Sequence, residues 1–280
     1  MTMMAETIED RLRSYYRWNL PVKIMIDDIE LPVTGVMSNA QIYVPLKALF
    51  AAIKQPLQLR GVNVSGTYKG NLFDVTIGTN TLRLNGTTYQ LDAAPFGTNQ
   101  EIYVTTFFVA TVTQHIYEWF AESRLLVFEG LENETFQIAA REFAPFSVLP
   151  QQFLKEDIGG QEQLPTLEWA GIPEKAQSLA LFLSDEHPLA AGYSYWTVMP
   201  LTADVTRIAA DDDHHDKTLH RFRGIAPVQN TGYHEYLFRI FALDVPKPIY
   251  TGQLNTVNEA RAAFDKHVLD VAVYPTFAKL

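Results

Sequence analysis

The 280-residue sequence contains no cysteine. This absence excludes disulfide bonds, zinc sites built on thiolates and cysteine nucleophiles, but it does not fix the cellular compartment. Basic residues are also few, because 22 lysines and arginines stand against 32 aspartates and glutamates and leave a formal net charge of −10. Broad electrostatic attraction to nucleic acid or to anionic lipid surfaces is therefore not expected.

Long apolar runs are missing as well. No run approaches the roughly 20 residues that a helix needs to cross a bilayer, so the sequence predicts no transmembrane segment. Residues 1–13 are interrupted by charges and lack the basic start and unbroken apolar core of a signal peptide. As written, the sequence predicts a cytoplasmic protein; if a leader has been removed, it predicts an extracytoplasmic one.

Apolar side chains are nevertheless plentiful. Hydrophobic residues make up 47% and aromatic residues 12% of the chain, which is ample for packed cores and too much for a disordered protein. The length favours two domains. Residues 1–21 are predicted to form a helical extension, since Ile8, Leu12 and Tyr15 would share one side of a helix over residues 5–18.

From residue 22 to residue 130 the pattern is typical of β-strands. Short apolar runs alternate with polar residues and are separated by Gly and Asn. The dipeptide Asn85-Gly86 between two such runs predicts a two-residue hairpin. The predicted strands include Val22–Ile26, Leu57–Val64, Leu72–Ile77, Thr81–Leu84 and Leu125–Phe128.

The same region contains an internal repeat with a spacing of 60 residues. The residues Leu31, Asn39, Ile42, Tyr43 and Val44 recur as Leu91, Asn99, Ile102, Tyr103 and Val104. A helix-compatible apolar stretch follows each copy, at Leu46–Ile53 and Phe107–Ile116. We interpret the region as two copies of one strand-and-helix unit that pack on each other. The alternative is chance similarity among β-rich segments.

The motif from Asn39 to Leu49, with the hairpins around it, resembles the copper amine oxidase N-terminal-like stalk domain over roughly Lys23–Gly130. The second copy departs from that family, because Val104-Thr-Thr-Phe107 replaces Val-Pro-Leu-Arg. The resemblance implies an adhesive or spacer module of bacterial surfaces and a protein partner. It does not imply copper, since His115 is the one histidine of this region and a single imidazole is no metal site.

Residues 131–148 are predicted to be a linker or the first strand of the next domain. Beyond them, the sequence predicts two buried strands that each have ionisable residues at one end, Ser178–Asp185 and Gly232–Asp244. Pockets are commonly built from such strand ends. We therefore expect a site at which these two ends meet.

Residues 149–280 resemble the phosphatidylethanolamine-binding protein family, in its bacterial Raf-kinase-inhibitor-like branch. The resemblance rests on an ordered set of segments: Leu164–Pro173, Lys175–Asp185, Gly192–Pro200, Gly224–Pro227 and Gly232–Asp244. It implies a β-sandwich with a small anion site at one end. The expected fold class of the whole chain is mainly β with a few helices, an N-terminal two-copy stalk-like domain preceding the sandwich.

Carried over position by position, the resemblance implies a set of ligand-binding residues: Asp185, His187, Tyr195, Gly224, Pro227, His234 and Tyr236. Two of these depart from the family pattern, since His187 replaces an Asp of the turn and Tyr195 replaces a His. Ile225 and Val228 replace prolines of the loop. Because Tyr195 supplies a neutral phenol where the family has a titratable imidazole, we expect weaker binding of dianionic phosphate.

Simpler interpretations of the same residues stay open. His234 could be a satisfied histidine at a strand edge, and Asp185 could cap a turn. The acidic segment Asp211–Asp216 contributes weak candidates for metal ligation, namely His214, His215 and, four residues on, His220. Its composition favours a solvated loop, so we expect no metal and no cofactor.

The leading hypothesis is non-catalytic binding of a small anionic ligand that bears a phosphate or carboxylate, such as a phosphorylated head group, with a regulatory role. One alternative is an interaction protein or cell-surface scaffold whose pocket has degenerated and whose stalk-like domain makes the contacts. A second alternative is a weak hydrolase that uses Asp185 and His234. Ser184 is an unsuitable nucleophile for it, because strand alternation places its side chain on the opposite face.

Overall fold

The computed structural model describes residues 20–97, 100–131, 135–209, 218–248, 250 and 254–280. The chain divides into two compact units, residues 1–130 and 131–280. The helix predicted over residues 5–18 lies outside the described residues, and so do His214 and His215. None of the described helices has both the length and the apolar character needed to cross a bilayer.

The described part of the first unit contains two sheets and two short helices. The elements are β1 (Leu20–Ile26), β2 (Ile29–Glu30), β3 (Gly35–Ser38), β4 (Gln41–Pro45), α1 (Leu46–Ala52), β5 (Leu57–Arg60), β6 (Asn63–Tyr68), β7 (Asn71–Thr76), β8 (Thr81–Leu84), β9 (Thr87–Gln90), β10 (Phe96–Gly97), β11 (Ile102–Thr105), α2 (Thr106–Thr113), β12 (His115–Phe120) and β13 (Leu125–Gly130). The larger sheet has the order β10-β11-β4-β3-β1-β13-β12 with β2 beside β1, and the smaller sheet runs from β5 to β9 in sequence order.

The internal repeat becomes an approximate twofold symmetry within the larger sheet. Strands β4 and β11 are antiparallel neighbours, and Val44 lies directly opposite its counterpart Val104. Each of these strands leads straight into a helix, α1 or α2. The packing of two strand-and-helix copies on each other is therefore confirmed.

The two helices of this unit are held by different means. Helix α2 is rich in β-branched residues, which are poor helix formers, but every one of its side chains is buried and Thr105 caps its start. Helix α1 follows Pro45 and has no capping side chain of its own. Its free N–H groups are instead satisfied by the carboxylate of Glu101, which accepts from Lys47 N at 2.8 Å and from Ala48 N at 3.1 Å.

Turn chemistry fixes the strand boundaries. The Asn85-Gly86 hairpin is confirmed, because both residues have positive φ (51° and 84°) and Leu84 pairs with Thr87. The predicted strand Leu57–Val64 is wrong as one element. It is divided into β5 and β6 by a turn at Gly61, whose φ of 65° suits glycine.

The second unit is a sandwich of a three-stranded sheet, β14-β16-β19, and a six-stranded sheet, β15-β22-β21-β17-β18-β20. The assignment of residues 131–148 to a linker is wrong for its described part, because β14 and β15 are hydrogen-bonded into these sheets. The elements are β14 (Gln137–Ala140), β15 (Ser147–Val148), β16 (Leu167–Ala170), β17 (Ser178–Asp185), β18 (Tyr193–Thr202), β19 (Arg207–Ile208), β20 (Thr218–His220), β21 (His234–Leu243), α3 (Val257–Phe264) and β22 (Val268–Ala278).

Strands β17 and β21 lie at the centre of the larger sheet and are buried along their whole length. One face of the sheet, with Leu181 and Phe238, packs into the main core against Trp169 of the smaller sheet. The other face, with Phe182, packs against helix α3 through Phe264. Because the strands are covered on both faces, they read as continuous apolar runs in the sequence.

The cap that Glu101 supplies to α1 leads to a prediction. We expect Glu101→Ala to destabilise the first unit by about 1–3 kcal/mol, because it leaves buried N–H groups without an acceptor. Amide hydrogen exchange at Lys47 and Ala48 should accelerate more than exchange elsewhere in the unit. Glu101→Gln, which retains one acceptor oxygen, should be intermediate. Unchanged protection of these two amides in Glu101→Ala would contradict the role assigned to Glu101.

Candidate functional site

The ends of β17 and β21 bring an acid and a base together on the core-facing side of the sheet. Asp185 pairs with Tyr236 across the two strands, and His234 lies two residues before Tyr236, so both project to the same face. Asp185 Oδ2 is 2.8 Å from His234 Nδ1. Both side chains are almost completely buried, at 2% and 1% exposed. The structure therefore brings together the two strand ends that the sequence singled out.

The turn after β17 adds a second histidine. Asp185 Oδ1 accepts a hydrogen bond from the backbone N–H of His187 at 2.9 Å, and the carbonyl of His187 accepts from Ala190 and Ala191. These bonds fold the turn back over the strand end. As a result, the His187 ring stacks on the His234 ring with a centroid distance of 3.7 Å and an interplanar angle of 9°.

His187 packs on His234 as a buried ring with a lowered pKa. Its Nδ1 accepts from the backbone N–H of Leu189 at 3.3 Å. Burial, and then the nearby His234, hold the pKa of His187 well below its usual value of 6.5. The ring thus turns inward at the position of the family's second Asp, and its Nδ1 is engaged by the turn itself.

Both nitrogens of His234 also have partners. Nδ1 faces the Asp185 carboxylate, and Nε2 lies 2.8 Å from Thr231 Oγ1. The Thr231 hydroxyl donates to the carbonyl oxygen of Val228, so its oxygen remains to accept from Nε2. The His234 ring is therefore held at both of its nitrogens, by Asp185 on one side and by Thr231 on the other.

Tyr195 reaches the site because β18 has a β-bulge. Leu183 pairs with Trp196 and the next residue, Ser184, pairs with Ser194, which leaves Tyr195 as the extra residue. Its ring lies edge-on to the ring of Tyr236, with centroids 5.6 Å apart. In a regular strand, Tyr195 and Trp196 would point to opposite faces of the sheet. The bulge places the Tyr195 side chain on the same face as Tyr236 and so brings it into the site.

The two tyrosine hydroxyls provide neutral donors. Tyr195 Oη donates to the carbonyl of Ala226 at 3.0 Å. Tyr236 Oη is fully buried near Asp185 and Tyr195, yet it meets the geometry of a hydrogen bond with neither. Burial, followed by the negative charge of Asp185, raises the pKa of both tyrosines, so both hydroxyls keep their protons at physiological pH.

Gly224 and Pro227 act on the site through the backbone of their loop. Gly224 has a φ of +72°, and a Cβ there would lie 2.6 Å from the backbone of Lys155. The next residue, Ile225, is hydrogen-bonded to Phe153 and Lys155 on the neighbouring segment. This anchored loop presents the Ala226 carbonyl to Tyr195 and continues through the buried Pro227.

Two groups of side chains at or behind the candidate site were not assigned to it by the sequence analysis. Thr231 is 1% exposed and is hydrogen-bonded to His234. In the sequence, its position just before Gly232-Tyr-His234 is the one feature that could have indicated this contact. On the opposite face of the sheet, Ser184, Glu186 and Arg239 form a buried hydrogen-bonded network. The expectation that Ser184 faces away from Asp185 is consistent with this position.

Metal ligation finds no support in the part of the chain that the structure describes. Within those residues, no group of three or more His, Asp or Glu side chains could hold a metal ion. His220 lies at the end of β20, and its Nε2 is 3.0 Å from the carbonyl oxygen of Leu254. In the first unit, His115 is paired with Asp27 at 3.0 Å and bonded to the Thr113 carbonyl.

Comparison with known proteins identifies both halves of the chain. Residues 139–276 match the phosphatidylethanolamine-binding protein family, and residues 24–127 match the copper amine oxidase N-terminal domain. The second half is 27% identical over 129 residues to the UPF0098 protein YbcL of Escherichia coli, covering 40% of this chain and 70% of YbcL. It is 26% identical over 125 residues to a UPF0098 protein of Methanothermobacter thermautotrophicus, covering 40% of this chain and 80% of that protein.

Among solved structures, the crystal structure of E. coli YbcL matches with a TM-score of 0.45 and 22% identity, covering 52% of this chain and 99% of YbcL. The family resemblances read from the sequence are thus confirmed by the two family matches. The match to the phosphatidylethanolamine-binding protein family lies in the C-terminal half of the chain, and that family supports ligand binding in general.

The depressed pKa of His187 predicts a pH dependence of stability. In the unfolded chain this histidine takes up a proton near pH 6.5, whereas in the folded state it stays neutral to a lower pH. Unfolding is therefore favoured as the pH falls below about 6.5. We expect thermal melts between pH 7 and pH 5 to show a smaller decrease in Tm for His187→Asn, in which an amide oxygen can still accept from Leu189.

The matched control is His267→Asn, since His267 is a half-exposed histidine of the same unit and is paired with Asp244. This variant controls for the loss of a histidine as such, and the prediction requires that the slope change in His187→Asn exceed any change seen in it. Equal slopes for His187→Asn and the unaltered protein would show that His187 does not carry the effect.

Proposed function

We propose that the phosphatidylethanolamine-binding protein domain of this chain binds, without chemical turnover, a small ligand that bears a carboxylate or phosphate group. The observation that carries the proposal is the Tyr236 hydroxyl, a buried donor that lacks a well-formed hydrogen bond beside the Asp185–His234 pair. Buried polar groups are normally satisfied, and an unsatisfied one in a cluster of ionisable groups suits a ligand oxygen.

The donor chemistry is that of two phenols. The pKa values of Tyr195 and Tyr236 are both raised, so both hydroxyls carry their protons at neutral pH and can donate hydrogen bonds to an anion. Tyr236 donates directly. Tyr195 is partly exposed and would exchange its bond to the Ala226 carbonyl for one to the ligand.

The charge balance of the site favours a ligand with a single negative charge. His187 is neutral because its pKa is lowered, and the Asp185 carboxylate lies 2.8 Å from His234, so these three residues leave no excess positive charge in either protonation state of His234. A dianion would enter next to the Asp185 carboxylate without a compensating cation. A carboxylate, or a phosphodiester such as that of a phospholipid head group, carries one charge and donates nothing, which suits two hydroxyl donors.

The absence of turnover is part of the proposal and is supported by the positions of the hydroxyls. Asp185, His234 and Thr231 form a chain that resembles a hydrolytic triad in its order of contacts. The Thr231 hydroxyl, however, is directed at the Val228 carbonyl and is 1% exposed, so it is poorly placed to attack a substrate. Ser184 lies on the other face of the sheet and is bonded to Glu186.

Binding can be tested by calorimetric titration with acetate, glycerophosphoethanolamine and inorganic phosphate at pH 7.5. We expect acetate and the phosphodiester to bind more tightly than phosphate. Tyr236→Phe should lower the affinity for both about tenfold or more, the typical contribution of a hydrogen bond to a charged group. The same variant should leave Tm unchanged or raise it, because it removes a buried hydroxyl that has no well-formed bond.

Tyr274→Phe is the matched control. Tyr274 is a buried tyrosine of the same sheet whose hydroxyl donates to the Phe143 carbonyl. Its loss should lower the free energy of unfolding by about 1 kcal/mol and leave the affinities unchanged. Absence of binding by all three probes would favour a scaffold with a closed site, and ester hydrolysis that is lost in Thr231→Val would favour a hydrolase.

A further inference from the structure

A compact network of charged and hydroxyl groups is buried on the face of the sheet opposite to the ligand site. Arg239 Nη1 donates to Ser184 Oγ at 2.6 Å and to Glu186 Oε1 at 2.7 Å. The Ser184 hydroxyl donates to the same Glu186 oxygen at 2.6 Å. The three side chains thus form a closed triangle that joins the end of β17 to the middle of β21.

This network is costly to bury. Arg239 is 0% exposed and Glu186 is 5% exposed at the side chain. The desolvation of such a pair largely offsets its Coulombic attraction, so a buried ion pair adds little stability over well-packed apolar residues. Its geometric effect is better defined, because short charge-assisted hydrogen bonds hold both partners at fixed positions.

The position of Glu186 connects the network to the ligand site. Glu186 lies between Asp185 and His187, and its side chain points to one face while Asp185 points to the other. Its backbone N–H donates to the Glu235 carbonyl at 2.9 Å, which extends the pairing of β17 with β21 by one residue. The strand end is thereby attached to β21 on both faces, through Asp185–His234 and through Glu186–Arg239.

We propose that Glu186 and Arg239 are positioning residues for the ligand site. By fixing the backbone on the back of the sheet, they hold the turn that carries His187 and so keep its ring stacked on His234. The expected effect on ligand affinity rests on the proposed function. The expected effect on the stacking of the His187 and His234 rings does not. Neither Glu186 nor Arg239 faces the ligand, so both act through Asp185 and His187.

The test measures the nitrogen-15 spectra of the histidine side chains in the full chain, together with acetate titration. In the unaltered protein we expect His187 to show a single neutral tautomer with its proton on Nε2, because Nδ1 accepts from Leu189 N. Glu186→Ala should shift His187 towards an average of the two tautomers and lower acetate affinity at least fivefold. Glu186→Gln, which retains an acceptor for Ser184 and Arg239, should restore both.

Ser184→Ala provides a milder change if Glu186→Ala does not fold, and it should produce a smaller shift in the same direction. Leu179→Ala is the matched control for lost stability, because Leu179 is a fully buried residue of the same strand at its other end. It should lower Tm without altering the two histidine spectra. Spectra that stay unchanged in folded Glu186→Ala or folded Ser184→Ala would overturn the proposal. If the unaltered protein binds no acetate, the proposed function fails while the spectra still decide the positioning role.

Discussion

The antiparallel pairing of β17 with β21 at the centre of the six-stranded sheet is the constraint on which the candidate site depends. Their register places Asp185 opposite Tyr236 and leaves His234 two residues further along, within hydrogen-bonding distance of the carboxylate. A slip of one residue would exchange the two faces of a strand, because side chains alternate. The site and the network behind it would then both be lost.

The same pairing explains why neighbouring residues of the turn have such different chemistry. Asp185 and Glu186 are adjacent in sequence, but one forms an ion pair with His234 and the other with Arg239 on opposite faces. His187, the next residue, returns to the first face and is neutral. One strand end therefore carries two separate buried acid–base pairs, and only Asp185–His234 lies on the face of the candidate site.

Much of the fold could be predicted from the sequence because its local signals agree with its long-range packing. The spacing of 60 residues between the copies around Val44 and Val104 indicated the repeat, and Asn85-Gly86 indicated a hairpin. Two apolar runs indicated the central strands of the second unit. The choice between a linker and a first strand for residues 131–148 stayed open because β14 and β15 are short, and their place in the sheets depends on partners far along the chain.

The candidate site was predicted less completely. Asp185, His234 and Tyr236 stand at strand ends, where pattern and family resemblance both point to them. Thr231 and Arg239 carry no local signal, since an isolated threonine or an arginine within an apolar run acquires its role only from what it contacts.

The sequence by itself determined the domain families, the β-rich class, the repeat and the residue types available at the two strand ends. The tertiary structure decided the chemical state of those residues. A bulge turned Tyr195 towards Tyr236, and burial together with the His234 ring made His187 neutral. These outcomes depend on desolvation and on distances of a few ångströms between residues that are far apart in the chain, and no periodicity or motif records such distances.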